Sequence, residues 1–155
     1  MKKEFMLRAI ELSRKNMQAG AGGPFGAVVV KDGQIIGEGW NKVTSANDPT
    51  AHAEVVAIRN ACENTKNFSL DGAEIYTSCE PCPMCLSAIY WARIGKIYYG
   101  NTRQDAAEIN FDDEFLYLEI PKDIKDRKVP MHQCEHSEAL AVFNEWKEKE
   151  DRVQY

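Results

Sequence analysis

The chain has no apolar run long enough to cross a membrane, and it lacks an excess of positive charge. No stretch approaches the roughly 18 consecutive apolar residues of a membrane-spanning helix, and the basic start, Met1-Lys2-Lys3, lacks the apolar core of a signal peptide. With 19 Lys and Arg against 24 Asp and Glu, the net charge is −5, which argues against a nucleic acid held through its phosphates. We expect a cytoplasmic protein with no membrane or nucleic-acid partner.

Linkers, low-complexity stretches and internal repeats are also missing. The 155 residues are 44% hydrophobic and 28% charged, which is the size and composition of one globular domain. We therefore predict a single domain over residues 1–155. The five cysteines are an odd number, which does not suit a complete disulfide framework. Three of them, Cys79, Cys82 and Cys85, have a spacing typical of metal ligands.

Hydrophobic periodicity predicts helices that alternate with strands. The predicted helices are residues 3–18, 51–64, 84–93 and 135–149, with short helices between 104 and 118. The predicted strands are residues 25–31, 34–40, 73–77, 96–100 and 127–133, and a tight turn at Asp32-Gly33 joins the first two. This order predicts an α/β three-layer sandwich with a mixed five-stranded sheet and helices on both faces. The opening hairpin is antiparallel, and the later strand–helix–strand run favours parallel pairing.

Two short segments supply a set of metal ligands and a carboxylate. His52-Ala53-Glu54 offers an imidazole and a carboxylate, and residues 81–85, Pro-Cys-Pro-Met-Cys, offer two thiols one helical turn apart. Both segments fall at predicted helix starts, where free N–H groups favour thiolate over thiol. One imidazole and two thiolates suit zinc, and zinc with three protein ligands keeps a position for water. Glu54 can take a proton from that water and return it to a leaving group, so the pattern indicates hydrolysis.

Cys79 allows a second interpretation. It lies three residues before Cys82 and, as a fourth ligand, would close the site, so that the zinc would be structural and the chain a non-enzymatic interaction module. Against this interpretation, Cys79 belongs to the end of a predicted strand rather than to a helix start, so its thiol need not converge on the others. Glu54 would also have no role.

The pattern resembles the zinc-dependent nucleobase deaminases, whose signature is H-x-E followed by P-C-x-x-C. Residues 22–27, 47–54 and 77–85 resemble the cytidine-deaminase superfold, and residues 86–93, 105–108 and 111–115 resemble the small bacterial guanine deaminases. The resemblance covers nearly the whole chain. It implies a cytidine-deaminase-like fold and hydrolysis of guanine to xanthine and ammonia by a zinc-bound hydroxide. It also implies one zinc per subunit on His52, Cys82 and Cys85, with Glu54 as proton shuttle.

The same resemblance implies how the substrate is held. Asn41 would hydrogen-bond the purine, and Asp113 would contact the substrate and help proton transfer. Phe25 and Trp91 would pack on the base. The family closes its pocket with the C-terminal segment, so Tyr155 would complete the site of a neighbour in a homodimer with exchanged segments.

Other deaminases share the zinc motifs. A tRNA adenosine deaminase would carry the same His-Ala-Glu triplet and the same residues 80–85, and a deaminase of cytosine or another free base also fits, because pocket contacts set the choice. Acidic residues outnumber basic ones in residues 135–150, which does not favour RNA. Asp112 adjoins Asp113 and is an alternative to it.

Overall fold

The computed structural model describes residues 2–154 and divides them into two compact units. The first unit ends at Glu114 and contains the sheet, and the second begins at Phe115. One domain over the whole chain therefore stays a prediction. None of the helices within residues 2–154 combines the length and apolar character needed to span a bilayer.

The first unit alternates helices and strands as the periodicity predicts. Its helices are α1 (Lys3–Gln18), α2 (Val43–Ala46), α3 (Ala53–Thr65), α4 (Pro83–Trp91) and α5 (Arg103–Glu108). Its strands are β1 (Gly26–Lys31), β2 (Gln34–Trp40), β3 (Glu74–Cys79) and β4 (Lys96–Asn101). Only the short α2 is not predicted from the sequence. Further along are α6 (Glu114–Glu119), which begins at the boundary of the units, a 3-10 helix (Ile124–Asp126) and α7 (His136–Glu148).

The sheet has four strands in the order β2-β1-β3-β4. Strand β1 is antiparallel to β2 and β3, and β3 is parallel to β4, so the mixed sheet is confirmed. The prediction of a fifth strand at residues 127–133 is wrong, because this described segment has no strand. Pro130 cannot donate to a ladder, and Arg127 and Lys128 interrupt the apolar alternation.

Neighbouring residues of β1 pack on opposite faces of the sheet. Val28 belongs to a core cluster with Phe5 of α1, whereas Val29 belongs to a cluster with Ala57 of α3 and Ile89 of α4. Successive strand side chains point to opposite faces, so α1 covers one face while α3 and α4 cover the other. The three-layer arrangement is confirmed.

Helix α3 lies very close to β2, because both surfaces consist of the smallest residues. Ala53, Ala57 and Ala61 are fully buried along one side of α3. A Cβ on Gly39 would lie 2.2 Å from the carbonyl oxygen of Ala53. A Cβ on Gly37 would lie 2.4 Å from that of Ala57. This glycine–alanine seam admits no side chain between strand and helix, and it fixes the position of α3.

An ion pair joins α1 to β2 on the surface of the first unit. Nε of Arg8 lies 2.7 Å from Oε1 of Glu38, and its Nη2 lies 2.8 Å from Oε2 of the same carboxylate. The two parallel hydrogen bonds hold the pKa of Glu38 below its usual value. Because both side chains are about one-third exposed, solvent weakens the pair.

Candidate metal centre and substrate site

The topology brings strand ends from distant parts of the sequence to one edge of the sheet. Strands β2, β3 and β4 end at this edge and β1 begins there, as the pairing directions require. Phe25 precedes β1, Asn41 follows β2, and Cys82 follows β3. In open α/β sheets, ligands bind at the carboxyl ends of the strands. This edge is therefore where a site is expected.

Three candidate metal ligands meet at the starts of α3 and α4. His52 and Cys82 are the N-cap residues of these helices, and Cys85 lies one turn inside α4. Nδ1 of His52 lies 3.6 Å from Sγ of Cys82 and 3.5 Å from Sγ of Cys85. Within residues 2–154 this is the one group of three such side chains whose ligand atoms all lie within 4.8 Å of one another.

These separations fit zinc. Tetrahedral zinc with ordinary Zn–S and Zn–N bonds separates its sulfur and nitrogen ligands by about 3.5 Å, and the structure gives 3.5 and 3.6 Å. Two thiols and an imidazole are also the donors that zinc prefers. Three protein ligands leave a fourth coordination position for water.

Mutual hydrogen bonds couple the protonation of the three groups. The hydrogen bond from Cys85, together with His52, lowers the pKa of the Cys82 thiol to about 4. The same thiol pairing and burial raise the pKa of Cys85, and contact with Cys82 raises the pKa of His52. The three side chains thus share protons that zinc binding would release.

Glu54 lies beside the ligands without belonging to their group. It is in the first turn of α3, its side chain is buried, and its Oε2 lies 3.4 Å from Sγ of Cys85. Burial raises the pKa of this carboxyl group. A carboxyl group whose pKa moves toward neutrality suits both acceptance and return of a proton.

Cys79 is directed elsewhere. Its thiol donates to the carbonyl oxygen of Thr102 at 3.5 Å, and burial raises its pKa to about 11. It is not among the grouped ligand atoms. The geometry therefore gives no support to a closed, four-ligand site.

Asn41 is held by its amide oxygen. Its Oδ1 accepts the N–H of Gly23 at 3.3 Å and the N–H of Val43 at 3.2 Å. Its own backbone N–H donates to the carbonyl oxygen of Phe25 at 3.1 Å, and only 6% of the residue is exposed. No side-chain pattern in the sequence indicates the two N–H groups that hold this amide.

Phe25 packs against an aromatic residue that the sequence does not single out. Its ring meets that of Phe111 edge to face, with centroids 4.9 Å apart and planes at 87°. The one available signal is that Phe111 opens residues 111–115, the acidic segment that contains Asp113.

The structure separates the two adjacent aspartates. Asp112 is exposed, and its Oδ1 accepts the N–H of Glu114 at 2.9 Å. Asp113 is partly buried, and burial together with the negative charge of Cys82 raises its pKa. Of the two aspartates, Asp113 is therefore the one that is partly buried and within electrostatic reach of Cys82.

One predicted substrate contact, Trp91, is not brought to this group by the described residues. Trp91 is the last residue of α4, about 12 Å along the helix axis from Pro83, and its side chain is 67% exposed. Tyr155 lies outside the described residues. Trp91 thus lies at the far end of the helix that carries Cys85, whereas Phe25 and Asn41 adjoin strand ends at the edge of the sheet that holds the metal ligands.

Known proteins resemble the chain at both the sequence and the structure level. Residues 1–101 match the family model described as the cytidine and deoxycytidylate deaminase zinc-binding region. The chain is 52% identical over 151 residues to guanine deaminase from Bacillus subtilis (strain 168), with 97% of each chain covered. It superimposes on an X-ray structure of guanine deaminase from Bacillus subtilis with a TM-score of 0.96 and 50% identity, covering 100% and 99% of the two chains. It is 38% identical over 127 residues to a tRNA-specific adenosine deaminase from Buchnera aphidicola, covering 81% and 82%.

Proposed function

Because the chain belongs to the cytidine and deoxycytidylate deaminase zinc-binding family, we propose that it hydrolyses guanine to xanthine and ammonia. The observation that carries the proposal is the buried carboxylate of Glu54 beside a three-ligand group with zinc spacing. Guanine is the proposed substrate because the likeness to a guanine deaminase extends over 97% of the chain.

Zinc is the cofactor, and His52, Cys82 and Cys85 are the proposed ligands. When bound by three protein ligands, zinc supplies a water whose pKa is about 7. Glu54 would take one proton from the attacking water and deliver it to the amino nitrogen, which would leave as ammonia, and the second proton of the water would pass to the neighbouring ring nitrogen. The water oxygen becomes the new carbonyl oxygen of xanthine. Burial of Glu54 supports this role, because a desolvated carboxylate binds a proton more strongly and can hold it between the two transfers.

Three side chains are the proposed substrate contacts in the first unit. Asn41 donates a hydrogen bond from Nδ2, Phe25 packs on the purine, and Asp113 contacts the substrate and assists proton transfer. The raised pKa of Asp113 supports the last assignment. Trp91 and Tyr155 stay predictions from the family resemblance.

The proposed assembly is a homodimer in which C-terminal segments are exchanged. None of the described residues from 115 to 154 is buried. Helix α7 exposes 42% of Leu140, 69% of Phe143 and 44% of Trp146. A segment of this size cannot build its own core, and large exposed apolar surfaces mark interaction sites. A second copy of the chain would cover them.

The proposed location is the cytoplasm, where free thiols such as the five cysteines persist.

A substrate panel tests the activity. The zinc-loaded protein is incubated separately with guanine, adenine, cytosine and cytidine, and ammonia is measured together with the purine product. We expect ammonia and xanthine from guanine. Ammonia from none of the four compounds would contradict the proposal, and release from a tRNA anticodon arm would then indicate an adenosine deaminase.

A further inference from the structure

We propose that Gly22, together with the backbone N–H groups of Gly23 and Val43, fixes the side-chain amide of Asn41 so that only its Nδ2 end is available to the substrate. This inference rests on the proposed function, in which Asn41 contacts the purine. It makes Gly22 a positioning residue, which acts on the reaction through Asn41.

Two backbone N–H groups hold the side-chain amide of Asn41. An amide oxygen has two acceptor sites, and Oδ1 of Asn41 receives the N–H groups of Gly23 and Val43. If the amide were reversed, Nδ2 would face two donors and both hydrogen bonds would be lost. Asn41 is 6% exposed and the two donor residues are partly buried, so water could replace these hydrogen bonds only in part, and unpaired donors are costly. The amide therefore has one favoured orientation.

Gly22 lies very close to Asn41. A Cβ at this position would lie 2.2 Å from the backbone carbonyl oxygen of Asn41 and 2.5 Å from its Oδ1. Both separations are well below van der Waals contact, and the nearer atom belongs to the backbone, which cannot rotate away as a side-chain tip can. Any side chain at residue 22 would therefore displace Asn41 from the two N–H groups.

The fixed amide of Asn41 restricts which atom of the substrate it can meet. With Oδ1 engaged, Asn41 is a hydrogen-bond donor only, so the atom that it meets must be an acceptor. Guanine offers a carbonyl oxygen and ring nitrogens as acceptors. A base that placed an amino group at the same position would set donor against donor, and a site built for one partner strongly rejects the other.

The first experiment compares Gly22→Ala with Gly95→Ala, where the added Cβ would meet only the carbonyl oxygen of Ala73 at 3.8 Å. We expect Gly22→Ala to lower kcat/KM for guanine by about tenfold or more, mainly through KM, with zinc retained. Gly95→Ala should match the wild type. If Gly22 acts through Asn41, the double variant Gly22→Ala/Asn41→Ala should have the kcat/KM of Asn41→Ala alone. Additive losses would overturn the role of Gly22.

The second experiment uses Asn41→Asp, which decides the question even if Gly22→Ala does not fold. The carboxylate still accepts from Gly23 and Val43 but offers an acceptor where Asn41 offers a donor. We expect kcat/KM for guanine to fall about ten- to a hundredfold, with the melting temperature and zinc content retained. Unchanged turnover would overturn the fixed orientation. A wild-type chain that releases no ammonia from guanine would instead contradict the proposed function itself.

Discussion

Oε2 of Glu54 lies 3.4 Å from Sγ of Cys85, so the proposed proton carrier is in contact with a proposed metal ligand. The two residues come from different helices, α3 and α4. Their contact depends on the packing of both helices on one face of the sheet. Because the two side chains belong to different residues on different helices, substitution of Glu54 tests proton transfer and substitution of Cys85 tests metal binding.

Replacement of Glu54 by Gln should abolish most turnover without removing zinc. The amide keeps the size of the side chain but cannot accept and return a proton, and loss of a general acid–base group lowers rates by about 10²- to 10⁴-fold. Ammonia release and zinc per chain are measured on the same sample. Glu63→Gln, an exposed position on the same helix, is the matched control. Wild-type turnover in Glu54→Gln would contradict the mechanism.

The cysteines should differ in their importance for zinc. Cys85→Ser removes a thiol that lies 3.5 Å from Nδ1 of His52, and we expect this variant to lose its zinc. Cys79→Ser replaces the thiol that donates to the carbonyl oxygen of Thr102 by a hydroxyl that can donate to the same atom, and it should retain one zinc per chain. Metal analysis after dialysis distinguishes the two. Loss of zinc from Cys79→Ser would instead support a closed structural site with Cys79 as the fourth ligand.

The Arg8–Glu38 pair should make stability depend on pH in the acid range. Arg8 lowers the pKa of Glu38 in the folded state below the ordinary value of 4.5. The pair therefore stabilises the fold above about pH 4.5, and its contribution is lost as the pH falls through the folded pKa. With partial exposure, we expect about 0.5–1 kcal/mol at pH 7. Urea unfolding of the wild type and Glu38→Gln should show this difference at pH 7 and not at pH 2.5. An equal difference in the free energy of unfolding at both pH values would contradict this contribution of the Arg8–Glu38 pair.

Gly39→Ala should disturb both the fold and the metal site. The new Cβ would lie 2.2 Å from the carbonyl oxygen of Ala53, and overpacking costs about 1–3 kcal/mol. Relief of the clash would move α3 and with it His52, so zinc affinity should fall as well. Denaturant unfolding and a zinc titration measure the two effects, with Gly95→Ala as the control. A variant that unfolds like the wild type would rule out the close packing.

Deletion of residues 150–155 should reduce guanine turnover more than it reduces thermal stability, if the C-terminal segment closes a pocket. Mixing this truncation with Glu54→Gln tests exchange between subunits. A mixed dimer would pair an intact Glu54 on one chain with an intact C-terminal segment from the other, so partial activity should return. Each variant mixed with itself is the control. A fully active truncation would remove Tyr155 from the proposed site.

Most of the first unit follows from local sequence patterns. Periods of two and of about 3.6 residues identify its strands and long helices, and the turn at Asp32-Gly33 identifies the hairpin. The predicted strand at residues 127–133 does not form, because its few apolar residues do not outweigh Pro130 and the charged Arg127 and Lys128 within the segment. The four-residue α2 is too short to show a period.

The candidate site is predictable where one motif carries the chemistry. The H-x-E and C-x-x-C motifs identify His52, Cys82 and Cys85 as ligands and Glu54 as the nearby carboxylate. The structure groups the three ligands and places Glu54 against Cys85. The preference for Asp113 over Asp112 needs burial, which only the folded chain reveals. The orientation of Asn41 depends on backbone N–H groups from two separate loops. Nearly every residue has such a group, so the sequence does not show which ones will bond to Asn41.

The glycine–alanine seam constrains the residues that position α3 but not the connecting segments around the site. Helix α3 presents His52 and Glu54 from a contact that tolerates no larger side chain, whereas Asn41 and Asp113 belong to connecting segments. Under the proposed function, mutations in those segments should change the accepted base while the proposed hydrolytic groups stay in place. This division identifies the connecting segments as the place to begin directed evolution of a new specificity.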